Sequence, residues 1–222
     1  MLDYEKDKRI NLYDDRGSEP FFSDLANMSD FAYRLETLIA SGDLSYERSD
    51  KNPDISSIIM LNKFNQNFDA MIFFKLDESE KIHSVFVVTK NDINGESRTF
   101  TYSVGYYVQE SSRGSGKCKE IVNISLEEIE SFLSNNGPNC GVGADDSFKY
   151  VLESVVSIEN EPSNKIASSL LHDGSPVFKA KEYRSKKESN VYRLELENKS
   201  VCIQTLQDGQ PTRCIFTMRW FL

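Results

Sequence analysis

Apolar positions along the 222-residue chain follow two periods, one helical and one alternating, and the points where one gives way to the other outline the expected architecture. Met28, Phe31, Leu35, Leu38 and Ile39 recur at helical spacing, with Ser29 placed to cap the start and Gly42 just past the end. From Ile55 the period falls to two. Strands are expected over 55–64, 69–76, 83–91 and 98–109, joined by short polar turns. Asn94-Gly95 is the strongest of these hairpin signals, because both residues tolerate positive φ. Short joints force antiparallel neighbours, so this half reads as a meander.

Residues 110–117, Glu-Ser-Ser-Arg-Gly-Ser-Gly-Lys, form the one flexible stretch of low hydrophobicity and read as a linker or long loop. A short strand is expected from Glu120 to Ile124. It leads into a helix whose N-cap is Ser125, with Glu128 completing a capping box, Ile124 and Ile129 as the hydrophobic staple, and Gly137-Pro138 as the stop. Asp145 or Asp146 then opens another helix carrying Phe148, Val151, Leu152 and Val155 on one face, although the same segment also alternates as a strand would. A further helix runs from Ser163 through Leu171, ending near Gly174 and Pro176. Period-two stretches return over 177–184, 190–197, 200–206 and 212–221, with Asp208-Gly209 as the last turn and Trp220-Phe221-Leu222 as a core strand end.

The expected fold class is therefore α+β: two antiparallel meanders of about four strands each, packed with three to four helices. The whole chain reads as one compact unit, with a subdivision into residues 1–117 and 118–222. Each part is a helix-plus-four-strand half whose layout is similar to cystatin-like helix-on-meander units.

Composition narrows the function classes. Hydrophobic residues make up 39% of the chain, enough to build a core. The formal net charge of -9, from 35 acidic and 26 basic side chains, sets the surface against nucleic acid and anionic membranes. A local basic stretch, Lys179, Lys181, Arg184, Lys186 and Lys187, interrupts that balance. The first nine residues are charged and lack the apolar stretch of a cleaved secretory signal, and no segment approaches a membrane span. A cytoplasmic protein is expected, with export by a route that reads no cleaved signal left open. Cys118, Cys140, Cys202 and Cys214 lack CxxC spacing and read as reduced thiols.

The leading expectation is a protein-binding module, a regulator, inhibitor or immunity-type partner, recognising a basic protein through an acidic surface or a sheet edge. No cofactor and no metal site is expected, since two histidines and four scattered cysteines share no ligand spacing. The alternative starts from Asn139-Cys140-Gly141, followed downstream by His172 and by Asp208 or Gln210. A thiol at a helix N-terminus, a histidine base and an orienting carboxylate in that order resemble papain-like cysteine hydrolases and deamidases, which implies Cys140, His172 and Asp208 as catalytic residues of a translocated effector. Against this, Asp145-Asp146 stand where apolar helix residues belong.

Three weaker patterns complete the inventory. Arg113-Gly114-Ser115-Gly116-Lys117 resembles the end of a phosphate-binding loop, but Ser111 replaces its first glycine, Cys118 its metal-binding hydroxyl, and no helix is expected to follow. Asp92-Ile93-Asn94-Gly95 resembles a calcium loop without its later acidic ligands. Arg16 is similar to the strand arginine of ADP-ribosyltransferases, but no Ser-Thr-Ser strand is present, and Glu195-x-Glu197 falls in the middle of an expected strand where that family has a turn.

Overall fold

The computed structural model describes residues 27–61, 68–90, 99–136, 148–171, 176–181, 188–201 and 215–218. Among them the chain runs α1 (Met28–Ala40), β1 (Glu47–Arg48), β2 (Ser56–Leu61), β3 (Phe68–Leu76), β4 (Ile82–Lys90), β5 (Thr99–Val108), α2 (Lys117–Asn136), β6 (Phe148–Ser157), α3 (Glu161–Leu170), β7 (Phe178–Lys181), β8 (Glu188–Val201) and β9 (Ile215–Met218).

The strands form one sheet in the order β1-β2-β3-β4-β5-β6-β8-β7, with β9 also pairing with β8. This corrects the expectation of two four-strand meanders and of two helix-plus-four-strand halves. The segments on either side of residue 117 are joined edge to edge, because β5 pairs with β6. That pair is parallel, whereas every other pair among the described residues is antiparallel. Parallel neighbours cannot be joined by a hairpin, so the chain crosses over between them, and α2 is that crossover.

Helices cover both faces. On one, α1 lays Phe31, Ala32 and Leu35 onto Ile72, Phe74, Val85 and Val87. Its cap is Asn27, not Ser29: the Asn27 side chain accepts a hydrogen bond from the Asp30 amide at 3.2 Å. On the other face α2 and α3 lay Ile121, Val122, Leu126, Ile129, Leu133, Ala167 and Leu171 onto Phe73, Phe86, Tyr102, Tyr150 and Leu152. Burial of each large apolar side chain contributes about 1.5–3 kcal/mol relative to exposure, so this stripe outweighs the local preferences of the segment that carries it.

Two elements differ from expectation for that reason. The segment from Lys117 to Ile124 belongs to α2, not to a strand before it. Its β-branched residues Ile121, Val122 and Ile124 give a strand-like local signal, but Ile121, Val122, Leu126, Ile129 and Leu133 make a helical stripe against the sheet. Ser125, expected as N-cap, lies mid-helix, fully buried and with its hydroxyl unpartnered. Glu128, expected to complete the capping box, instead accepts hydrogen bonds from Ser49 Oγ at 2.5 Å and Asn52 Nδ2 at 3.0 Å, fastening the turn before β2 to α2. The second difference is β6, expected as a helix. As a central strand it buries Val151 on one face and Tyr150, Leu152 and Val156 on the other, and a strand apolar on both faces imitates a helical pattern. The expected strands over 190–197 and 200–206 fall in part within one long strand, β8.

Among the described residues, no helix is long and apolar enough to cross a membrane. The Asn94-Gly95 turn, Asp92, Arg16, Cys202, Cys214 and the Trp220-Phe221-Leu222 end lie outside the described residues.

Ser125 provides a test of this packing. Replacing a buried, unpartnered hydroxyl in a helix interior by a methyl group removes a desolvation cost and raises helix propensity, so Ser125→Ala is expected to stabilise the protein by roughly 1 kcal/mol in urea unfolding. A Ser125→Ala variant less stable than the parent chain would show that the hydroxyl does not sit unpartnered in the core.

Candidate functional site

The parallel pair ends early. β5 and β6 are in register only over Thr99–Ser103 and Lys149–Glu153. Beyond that point β5 stays paired with β4 through Val104–Val108, and β6 with β8 through Ser154–Ser157. Towards their C-terminal ends the two strands thus stop pairing with one another and form a fork, along which the backbone groups that face one another have no strand partner among the described residues. Such unfilled ladder positions call for an extended chain between them. In α/β sheets, the carboxyl ends of adjacent strands are also where ligands are received.

The glycine-rich segment stands at the mouth of this fork. After Val108 the chain makes a single 3-10 turn, Glu110–Ser112, and then passes through Gly114 and Gly116, both in the left-handed region with φ of +78° and +83°. A β-carbon there would be strained by the backbone itself, while the space above both residues is open. α2 begins at the next residue, Lys117. The amides of the first helical turn have no partner within the helix and lie at the positive end of its dipole, so a strand, a glycine turn and a helix start combine into an anion-receiving arrangement. This corrects the sequence reading, in which no helix followed Arg113-Gly114-Ser115-Gly116-Lys117. Arg113 lies on the turn, with its Nε donating to the Val108 carbonyl at 3.4 Å. Lys117 and Lys75 both pair with Glu120, at 2.9 and 2.5 Å. The Lys75 hydrogen bond first, then that of Lys117, holds the Glu120 carboxyl down at about 2.

Two side-chain groups line the fork, one on each face. On the α2 and α3 side, the Tyr106 hydroxyl donates to the Ser163 carbonyl in the first turn of α3 at 2.8 Å and also interacts with the Ser154 hydroxyl of β6, bridging the fork. Burial pushes the Tyr106 phenol well above its ordinary range. Asn164 anchors α3 on the far side: its Oδ1 accepts from Asn190 Nδ2 at 2.8 Å and Tyr192 OH at 2.9 Å. Cys118, on the first turn of α2, has its thiol pushed up to about 11 by burial, which outweighs the lowering effect of a helix N-terminus. On the opposite face, at the point where pairing stops, Glu153 accepts from Arg193 Nε at 2.7 Å, and the Arg193 guanidinium lies 4.9 Å from the centre of the Phe178 ring. Gly105 lies on the same face, where a β-carbon would meet Met28 Sδ at 2.5 Å, so glycine lets the start of α1 close onto β5.

Cys140, His172 and Asp208, the sequence-predicted catalytic set, lie outside the described residues, as does Gln210. Sequence reasoning missed Tyr106, Glu153 and Arg193, which carry no motif and come to the fork only through sheet register. It did notice the glycine pair. The discarded signal was the run of apolar residues at helical spacing after Lys117.

The arrangement is that of a mixed α+β sheet with one parallel step and, at its fork, a glycine turn leading into a helix N-terminus. No protein-family model matches the chain, and no curated protein matches it. Solved structures similar to it include the ribosomal-protein-S5-alanine acetyltransferase from Vibrio fischeri (18% identity, TM-score 0.40, covering 56% of this chain and 61% of that one). Others are Arabidopsis thaliana NAA60 in complex with a bisubstrate analogue (13%, TM-score 0.41, 57% and 76%) and the spermidine N-acetyltransferase from Vibrio cholerae (15%, TM-score 0.37, 57% and 64%). The chain thus spans less than two thirds of the Vibrio structures' length. The expectation of a protein-binding regulator, inhibitor or immunity-type partner is corrected here, as are its effector form and the papain-like hydrolase or deamidase alternative: the similar structures are acetyltransferases. The physical reason lies in the chain itself. That expectation rested on the acidic balance, the antiparallel sheet and the lack of a convincing catalytic or metal motif, and none of these registers the parallel step or the glycine turn that follows β5.

The Glu120 cluster beside the turn sets a pH dependence. Because the folded carboxyl titrates near 2 instead of 4.5, the stabilisation it contributes is complete above about 4.5 and is lost as pH falls towards about 2. In urea unfolding, the parent chain and Glu120→Gln are expected to differ most above pH 4.5 and to converge on acidification. A difference that stays constant down to pH 2.5 would show that the lysines do not act on this carboxylate.

Proposed function

We propose that the chain is an acyltransferase that moves an acyl group such as acetyl from a coenzyme A thioester to an amine. The observation that carries the reading is the fork between β5 and β6 with the glycine turn and the α2 N-terminus at its mouth. Coenzyme A has the matching chemistry: a pyrophosphate for the helix start, and an extended arm with two amide groups that can pair with strand edges. With the pyrophosphate on the turn, the arm runs between Val104–Val108 and Ser154–Ser157, and the thioester comes to the closed end of the fork, beside Glu153.

The chemistry there is a displacement at a carbonyl. The neutral amine nitrogen attacks the thioester carbon to form a C–N bond and a tetrahedral oxyanion. The C–S bond then breaks, the sulfur leaves as a thiolate that takes up a proton, and the nitrogen loses one. A backbone amide turned into the fork near its closed end would be suited to stabilising the oxyanion. Glu153 is the carboxylate placed to receive the nitrogen's proton, with Arg193 holding it in position.

Calorimetric titration with coenzyme A and a thiol-release assay with acetyl coenzyme A and a panel of primary amines test this reading. Binding at micromolar concentration and amine-dependent thiol release are expected. Gly116→Val is expected to weaken coenzyme A binding at least about tenfold, because a β-branched residue is strained at positive φ. Glu153→Gln is expected to leave binding unchanged and lower turnover about 10²-fold or more. The absence of any coenzyme A binding would overturn the reading.

A further inference from the structure

His83 stands half-buried on β4, beside the end of β5 and outside every group assigned above. Its carbonyl accepts from the Gln109 amide at 2.9 Å, and its ring Nε2 is 2.9 Å from the Ser112 hydroxyl. Ser112 in turn accepts, through its carbonyl, a hydrogen bond from the Ser115 hydroxyl at 2.5 Å. Ser115 sits between Gly114 and Gly116, the two residues at positive φ. Ser112 therefore links the His83 ring to the glycine pair, its hydroxyl meeting the imidazole and its carbonyl meeting Ser115. The other bonds of the turn are local: Ser112 amide to Gln109 carbonyl, Arg113 amide to Glu110 carbonyl, and Arg113 Nε to Val108 carbonyl. Among the described residues, both hydrogen bonds that reach the turn from another strand come from His83.

A turn with two exposed glycines has more conformations to lose on binding than any other residues would leave it, and an anchor that fixes its shape beforehand removes part of that cost. We infer that His83 is a positioning residue of the donor site, acting through Ser112 to hold the glycine turn in the shape that receives the pyrophosphate. Either imidazole tautomer serves, because a serine hydroxyl both donates and accepts. The inference rests on reading the turn as the pyrophosphate site, and it extends that reading to a residue that need not touch the ligand.

The experiment compares the parent chain with His83→Phe, which keeps a ring without the hydrogen bond, with Ser112→Ala, with the double variant, and with His83→Gln, whose amide can replace Nε2. Each is titrated with coenzyme A, and amide exchange at Gly114, Ser115 and Gly116 is measured in the free proteins. His83→Phe and Ser112→Ala are each expected to weaken binding about two- to tenfold, the worth of one hydrogen bond, and to speed exchange at the glycine pair. The double variant is expected to bind no more weakly than the weaker single one, since both break one path. His83→Gln should return to within about twofold of the parent chain. Unchanged affinity in both single variants, additive losses in the double variant, or no recovery with glutamine would each overturn the inference while leaving the donor site standing. Failure of the parent chain to bind coenzyme A would overturn the donor-site reading and this inference with it. Should His83→Phe not fold, Ser112→Ala carries the test alone, because it removes only a hydroxyl from a half-buried residue of the turn.

Discussion

The parallel step between β5 and β6 governs the rest of the molecule. Two parallel neighbours cannot be linked by a short turn, so the chain must leave the sheet after Val108, cross one face and return at Phe148. The crossover places a helix against the sheet, and its stripe from Ile121 to Leu133 becomes half of a core. It also fixes where that helix begins, at the carboxyl end of β5, with its amide-rich terminus beside the point where β5 and β6 separate. An all-antiparallel arrangement of the same strands would have neither feature.

Separation of the two strands after Ser103 and Glu153 gives the site its two faces. Each strand keeps its outer neighbour, β4 or β8, so the fork is held open from both sides without leaving either strand unsupported. The Tyr106 hydroxyl spans it on one face, and the Glu153–Arg193 pair marks its closed end on the other. A ligand chain that completed the missing ladder would meet backbone groups whose positions are already fixed by the sheet, which would lower the ordering cost of binding.

Sequence made the helix α1, the strands β2 to β5 and the helix α3 legible, because each has a clear period and adequate punctuation. Legibility failed where burial on both sides blurred the period. β6 carries apolar residues on both faces and imitates a helix, while α2 opens with β-branched residues that imitate a strand. The consequence reached the site. Reading a strand at Glu120 removed the helix that gives the Gly114 and Gly116 turn its meaning, and the Ser125 and Glu128 pair reinforced the error by matching a capping box that is not formed. Glu153, Arg193, Tyr106 and His83 lie on four strands or turns whose adjacency follows from register, and no spacing along the chain announces it.

The central claim is that the β5 and β6 edges facing the fork take up an extended ligand chain. Hydrogen exchange at the amides of Val104–Val108 and Ser154–Ser157, with and without coenzyme A, tests it most directly. The account predicts that amides pointing into the fork exchange fast in the free protein and become protected when coenzyme A is added, with those paired to β4 and β8 unaffected. Protection of the fork amides in the free protein, or protection by coenzyme A that falls elsewhere on the chain, would contradict it.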